Sequence, residues 1–374
     1  MDLDFSEEQE ILRAMVRTLC SEHSTIDIVR ALEDDPVGYP LDLWKRLAEV
    51  GLLGILIPEE FGGSGMSMLD AAIVYEEFGR SLAPSPHFVS CVLAAGAILE
   101  AGSEQQKREW LPGIAAGDVV ISPAWLEPHN GYGPQGVQLR AEAQGGGFAL
   151  TGTKLHCLFA SSATRLLVLA RSGERLTEVD LFLVDPQADG VVVEQQRSLA
   201  SDTQYKVDLE AVRVPASSRL GAAGSGWQTW NEVMHRGIVL SAAQAMGGAQ
   251  RALEITCEYA SEREQFKKPL AAFQSISHYL ADAATQVSGG TTLVYEAAWA
   301  CSQGREIARL APMAKLFACQ TYRDLTAMSL QVFGGVGFTV EYDAQLFFRR
   351  AKQLQLSWWD GPYLEELVAA SILD

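Results

Sequence analysis

YASEREQFKKPLAAFQSISHYLAD, residues 259–282, is the stretch from which the fold is read. Tyr259 to Phe266 reads as the end of a helix, Pro269 as a turn, and Phe273-Gln274 as the opening of the next helix. An arginine beside an aromatic at such a turn, here Arg263 and Phe266, can grip a pyrophosphate and cover an adenine, because the guanidinium fork matches phosphate oxygens in pairs. A surface arginine beside a core phenylalanine is the commoner meaning of the pair. Downstream lies QVFGGVGFTVEYDAQLFFRRAK, residues 331–352, in which Gly334, Gly335 and Gly337 follow the end of a helix near Phe333. One glycine there is ordinarily a cap. Three also leave backbone that a dinucleotide can approach closely.

Helical periods run long on both sides of these segments, over residues 236–261, 273–302 and 305–333, with a short last helix. Three long antiparallel helices and a short one make a C-terminal four-helix bundle. The Gly289-Gly290 pair inside one of them costs about 1 kcal/mol per glycine relative to alanine, and implies a kink or a close helix crossing. Upstream, between residues 119 and 214, the period changes. Short apolar or alternating runs at 119–125, 135–143, 147–154, 165–170, 179–184, 190–194 and 205–214 predict a β-barrel or sandwich. The first 118 residues return to helical spacing, with capping boxes at Ser6/Gln9 and Ser103/Gln106 and helices over 41–50, 68–80 and 89–101. The expected fold class is therefore α+β multidomain: an N-terminal helical domain (1–118), a middle β-domain (119–219) and a C-terminal helical bundle (220–374).

Composition narrows the function. A chain of 374 residues, 48% hydrophobic and 20% charged, is globular and long enough for two or three domains. The net charge of −18 argues against nucleic acid and against docking on anionic lipid, both of which need clustered Lys and Arg. The six cysteines form no CxxC pair and no zinc-ligand spacing, so no metal is expected and reduced thiols in a cytoplasmic protein are. The acidic start MDLDFSEEQE is unlike a signal peptide, and no run nears the roughly 18 apolar residues a membrane helix needs.

Residues 259–282 and 331–352 resemble the signature segments of acyl-CoA dehydrogenases. Smaller matches fall in the family's order at IPEEFGGSG (57–65), EEFGR (76–80) and LPGIAAGD (111–118), so the resemblance covers nearly the whole chain. It implies the three-domain acyl-CoA dehydrogenase fold, FAD as cofactor, an acyl-CoA thioester as substrate and electron-transfer flavoprotein or a similar acceptor as partner. It also implies that Arg263, Phe266, Phe273 and Gln274 reach the FAD of a neighbouring subunit, and that Gln331, Gly334 and Gly335 meet its diphosphate and ribose.

The rest of the family pattern is eroded. The Thr-Glu-Pro-x-x-Gly-Ser-Asp segment is here LEPHNGYGP (126–134): Glu127 and Pro128 match, the hydroxyl does not. The Trp-Ile-Thr/Ser segment behind the flavin ring falls in LTGTKLHCLFASSA (150–163), with His156 at the Trp position and Leu158 at the hydroxyl position. Leucine cannot hydrogen-bond a flavin. His156 is a candidate flavin contact or a satisfied β-domain histidine. The family reaction needs a carboxylate to take the substrate α-proton while a hydride leaves the β-carbon for the flavin. Ungapped counting puts Trp358 at the usual Glu, and two extra residues put Asp360 there, while Gly237 falls at the family's second base position. Asp360 is thus the one in-place catalytic candidate, with a solvated loop aspartate as its alternative. Arg236 is a candidate for a CoA phosphate or for pairing with an acidic neighbour.

The pattern is asymmetric: elements contributed to a neighbour's FAD are intact, and those for this chain's own flavin and base are eroded. It is similar to bacterial heteromeric, steroid side-chain-type members, in which two unlike chains share the work. The expectation is a base-lacking partner chain of an α,β-dehydrogenating enzyme, paired with a second acyl-CoA dehydrogenase-like subunit. The alternatives are a homotetrameric dehydrogenase using Asp360, and a non-catalytic acyl-CoA-binding or structural protein.

Overall fold

The computed structural model describes residues 5–129 and 131–373. The N-terminal third is helical: α1 (Glu7–His23), α2 (Ile26–Ala31), α3 (Leu41–Glu49), α4 (Met68–Arg80), a π-helical turn (Phe88–Ala94) running into α5 (Ala95–Ala101), and α6 (Glu104–Ala116). Strands β1 (Ile121–Ala124), β2 (Arg140–Gln144), β3 (Gly147–Leu158), β4 (Arg165–Arg171), β5 (Val179–Val184), β6 (Val191–Gln196), β7 (Gln204–Pro215) and β8 (Arg219–Leu220) follow. The remainder is α7 (Gly226–Glu262), a hairpin of β9 (Glu264–Gln265) and β10 (Lys268–Pro269), α8 (Gln274–Ser302), α9 (Leu310–Phe333), α10 (Ala344–Leu356) and α11 (Gly361–Leu373). Two short helices, rather than one, therefore complete the C-terminal set.

The capping boxes at Ser6/Gln9 and Ser103/Gln106 both form, and each satisfies helix N–H groups that would otherwise lack partners. Ser67 and Asp70 make a third at the start of α4. Each of the seven runs read from the sequence contains a strand, although the run 135–143 begins in a 3-10 turn and is extended only from Arg140. The strands belong to one mixed sheet in the order β6-β7-β3-β2-β4-β5-β8, with β1 parallel to β4. Among the described residues its two halves are joined by the β2–β4 pair Arg140 with Arg171 and by an isolated bridge between Leu126 and Leu155 of β3. Leu150, Val207 and Leu209 of one half share a buried core with Leu166, Val168 and Phe182 of the other. Removing this apolar surface from water is what holds the β-region together, at about 25 cal/mol per Å².

Contacts divide the chain into two compact units: Met1–Arg30 with Ser67–Ala83 and Ile238–Asp374, and Ala31–Met66 with Pro84–Gly237. In the first unit, glycines bring α4 and α7 to backbone contact. A Cβ on Gly79 would lie 1.9 Å from the Gln244 carbonyl oxygen, and one on Gly247 would lie 1.8 Å from that of Glu76. Of the Gly289-Gly290 pair, only Gly290 serves a close crossing: its Cβ would fall 2.8 Å from Met246 Sδ, whereas one on Gly289 meets nothing within 4 Å. The EEFGR stretch is a polar staple in this unit. Buried Glu77 accepts from both Arg17 nitrogens at 2.9 and 2.7 Å, and Arg80 grips Glu254 with both its terminal nitrogens. In the second unit, buried His87 donates through its Nε2–H to the Leu52 carbonyl at 3.0 Å, and burial depresses its pKa to about 4.

Candidate functional site

The two quoted segments meet at one end of the helical unit. Arg263 lies just beyond α7 rather than inside it: its N–H donates to Tyr259 O at 2.8 Å, closing the helix, and its carbonyl accepts from Leu270 N at 2.8 Å, closing the hairpin. The tip residues Phe266 and Lys267 have φ of +53° and +68°. A two-residue turn of this kind normally takes Asn-Gly, because both central residues need positive φ. Side chains as large as these therefore sit there under strain. Phe266 is nonetheless 87% exposed, edge-on to the Phe273 ring at 6.3 Å, while Lys268 Nζ lies 4.0 Å over Phe273. Arg263 is exposed and has no ion pair among the described residues. Gln274, the first residue of α8, is exposed beside them.

The glycine loop follows α9. Gln331 is exposed on the last turn, and Gly334 adopts φ +67°, ψ −141°, a conformation that a Cβ disfavours. Gly337 is required by packing, since its Cβ would fall 2.9 Å from that of Phe333. Gly335 answers to neither demand; a Cβ on it, or on Gly334, meets nothing within 4 Å. The backbone at 334–335 thus faces open space. Tyr259 joins the loop to the hairpin, stacking on Phe333 at 4.2 Å with Tyr342 edge-on to both rings. Arg263, Phe266, Phe273 and Gln274 therefore share one end of the unit with Gln331, Gly334 and Gly335. Exposed guanidinium and uncovered glycine backbone fit a dinucleotide diphosphate.

Glu127, His156 and Arg236 belong to the other unit. The Glu127 carboxylate is buried and engaged internally. It lies 2.7 Å from the fully buried Lys154 Nζ and accepts from Gln138 N and Leu139 N at 3.0 and 2.9 Å. Burial pulls the Lys154 pKa down, and Glu127 opposes that pull. His156 is exposed on a bulge of β3, with φ +55° and Nδ1 2.8 Å from Gln204 Oε1. Leu158 is half-buried, and its carbonyl accepts from Ser122 Oγ at 2.7 Å. Arg236 is exposed and has an acidic neighbour, Glu100, at 3.2 Å.

Neither base position offers a free-standing carboxylate. A Cβ on buried Gly237 would lie 2.7 Å from Leu93 Cδ2 and 3.4 Å from the Phe88 ring, both on the π-helical turn. Trp358 and Trp359 are buried with φ of +55° and +74°, two bulky residues in left-handed conformation, each costing about 1–3 kcal/mol. Lys315 holds that turn. Its buried ammonium donates to the carbonyls of Leu354, Ser357 and Trp359 at 3.0, 2.7 and 3.1 Å. Asp360 comes next and caps α11, accepting from Tyr363 N at 3.1 Å. Lys315 escaped sequence reading. Its signal was a lone lysine inside the apolar run LAPMAKLFAC, where a charge without partners would be very costly.

Comparison with known proteins gives the family. The acyl-CoA dehydrogenase N-terminal domain family matches residues 6–118, and the C-terminal domain family matches residues 224–363. Acryloyl-CoA reductase (NADH) of Anaerotignum propionicum is 31% identical over 94% of this chain and 91% of its own length. Butyryl-CoA dehydrogenase of Megasphaera elsdenii superposes with a TM-score of 0.92 at 25% identity, covering 100% of both chains. A chain of the ChsE4-ChsE5 complex of Mycobacterium tuberculosis superposes at 0.91 with 26% identity, covering 100% of this chain and 99% of that one. Among the described residues no helix is long and apolar enough to cross a membrane. The chain belongs to the acyl-CoA dehydrogenase family of FAD-dependent oxidoreductases.

Proposed function

We propose that this chain is the base-lacking partner subunit of a heteromeric acyl-CoA dehydrogenase that introduces an α,β double bond into an acyl-CoA thioester. The carrying observation is the state of the two base positions. Gly237 is packed against Leu93 and Phe88, leaving no room for a carboxylate without displacing them. Trp358 is buried, and one carboxylate oxygen of Asp360 accepts from Tyr363 N at the cap of α11. The contributing half of the flavin site supports the same reading, with Arg263, Gln331, Gly334 and Gly335 exposed or half-exposed at one end of the helical unit. FAD supplies hydride acceptance when bound. In this proposal Arg263 neutralises its diphosphate, the glycine backbone admits it, and Phe266 with Phe273 covers its adenine, all for a neighbouring subunit. In this proposal His156 is the β-domain's candidate flavin contact. The α-proton goes to a carboxylate of the unlike second chain. The reading includes a cytoplasmic enzyme that passes electrons to electron-transfer flavoprotein or a similar acceptor. The ChsE4-ChsE5 complex is a structural relative with two named chains, and the name of a further one describes an electron-transferring flavoprotein of Acidaminococcus fermentans.

The test is flavin stoichiometry. The chain purified with its unlike partner should hold fewer FAD molecules than protein chains, and purified alone it should hold little. One FAD per chain in the isolated protein contradicts the proposal and favours a homotetramer using Asp360.

A further inference from the structure

Phe266 and Lys267 form the tip of the β9–β10 hairpin, closed by the pair Gln265 with Lys268. Their φ angles are +53° and +68°. Glycine takes the second of these positions without steric cost, and a residue with a Cβ does not. Strain of this kind persists where the surroundings over-determine the backbone. The other left-handed pair of non-glycine residues, Trp358-Trp359, meets that condition. Both are buried, and Lys315 bonds the carbonyls of Ser357 and Trp359. The hairpin tip has no such support. Phe266, at 87%, is the most exposed large apolar side chain among the described residues, edge-on to Phe273 at 6.3 Å. Lys267 is exposed and has no hydrogen bond, ion pair or ring contact among them.

The other cations of the hairpin have tasks. Lys268 Nζ lies 4.0 Å over the Phe273 ring, and Arg263, at the hairpin's base, is assigned above to a diphosphate. The hairpin's own acids, Glu262 and Glu264, are exposed and form no ion pair with Lys267. FAD carries its negative charge on the diphosphate. With Phe266 and Phe273 over the adenine, a cation at the tip stands beside the end of the cofactor that has no charge to offer. The anion that Lys267 fits is therefore a protein carboxylate on the surface where the hairpin docks.

We propose that Lys267 occupies this strained, glycine-demanding position because its ammonium pairs with a carboxylate of the neighbouring subunit. The turn then loses stability in the free chain and gains affinity in the assembly. This rests on the reading above, in which this end of the helical unit docks on a neighbour. It adds a protein contact to that reading, one that selects a partner with an acidic surface opposite the tip.

Three variants of the full chain separate strain from charge. Lys267→Gly removes both, Lys267→Gln removes the charge alone, and Lys267→Arg keeps both. In thermal unfolding of the chain by itself, Lys267→Gly should raise the midpoint by about 1–3 °C, and the other two should leave it in place. No rise with Lys267→Gly removes the strain and overturns the proposal. Association with the co-expressed unlike subunit is then titrated by sedimentation velocity. Lys267→Gly and Lys267→Gln should each weaken it about tenfold, and Lys267→Arg should stay within about twofold of wild type. The two neutral variants should also depend less steeply on salt. Unchanged association with Lys267→Gln makes this a solvated lysine and overturns the proposal. Loss of bound FAD at unchanged subunit association places the anion on the cofactor and overturns it too. A wild-type chain that joins no second subunit defeats the proposed function as well, an outcome distinct from the others.

Discussion

Replacing Lys154 with methionine tests what Glu127 does. The two side chains are 0% and 5% exposed, with Nζ 2.7 Å from Oε1, and Nζ also donates to Trp125 O at 3.3 Å. Removing one partner of a buried pair costs about 3–5 kcal/mol, because the other charge is left uncompensated. Lys154→Met should fall near the lower end of that range, since the carboxylate keeps the N–H groups of Gln138 and Leu139. Glu127→Met should cost more. It strands the ammonium and orphans both N–H groups, at about 1–3 kcal/mol each. The double variant removes the ammonium as well, so it should be more stable than Glu127→Met alone. The assay is urea unfolding followed by far-ultraviolet circular dichroism, comparing midpoints across the four proteins. Additive effects of the two substitutions, or a Lys154→Met cost below about 1 kcal/mol, would refute an internal ion pair.

Three further outcomes are expected. Arg263→Ala in the assembled protein should raise the FAD dissociation constant by roughly 10- to 150-fold, the equivalent of about 1.5–3 kcal/mol for a charge-assisted contact; unchanged affinity on titration contradicts its role. Gly79→Ala should destabilise severely, since its Cβ would meet the Gln244 carbonyl oxygen at 1.9 Å, whereas Gly289→Ala, with nothing within 4 Å, should stabilise the helical unit by about 0.5–1 kcal/mol in thermal unfolding. Burial tends to raise the Glu254 pKa, but hydrogen bonds from Arg80 and Gln250 outweigh it and hold the carboxyl at about 2. A depressed carboxylate contributes stability above its unfolded pKa and loses it as pH falls toward 2, so Arg80→Met should flatten the stability profile between pH 5 and 2; a parallel profile tells against the pair.

Much of the fold was legible because period is written locally. Residues 179–184, apolar except for Asp180, form β5, buried along its whole length, and residues 68–80 have helical spacing and form α4 within the same bounds. What the sequence did not carry was tertiary. The lengthening of β3 to Leu158 includes a bulge at His156 with positive φ, which no alternation pattern predicts. The breaks between α9, α10 and α11 rest on the glycine loop and on a left-handed Trp-Trp turn held by Lys315, a residue far away in sequence. The functional motifs divide in the same way. Arg263 and Gly334 stand out in the sequence because their neighbours in sequence are their neighbours in space. Glu127 matched a motif, but its partners Lys154, Gln138 and Leu139 are defined only by the folded sheet. Gly237 looked like a simple loss until Leu93 and Phe88 appeared in the space a carboxylate would need.

The most direct measurement of the central claim is anaerobic flavin reduction by a panel of acyl-CoA thioesters, followed at the flavin absorption band. It is run on the chain alone, on the chain with its unlike partner, and on Asp360→Asn in each. The account predicts bleaching only in the two-chain assembly, at a rate that Asp360→Asn leaves unchanged. Bleaching by the isolated chain that Asp360→Asn abolishes contradicts it and makes Asp360 the base.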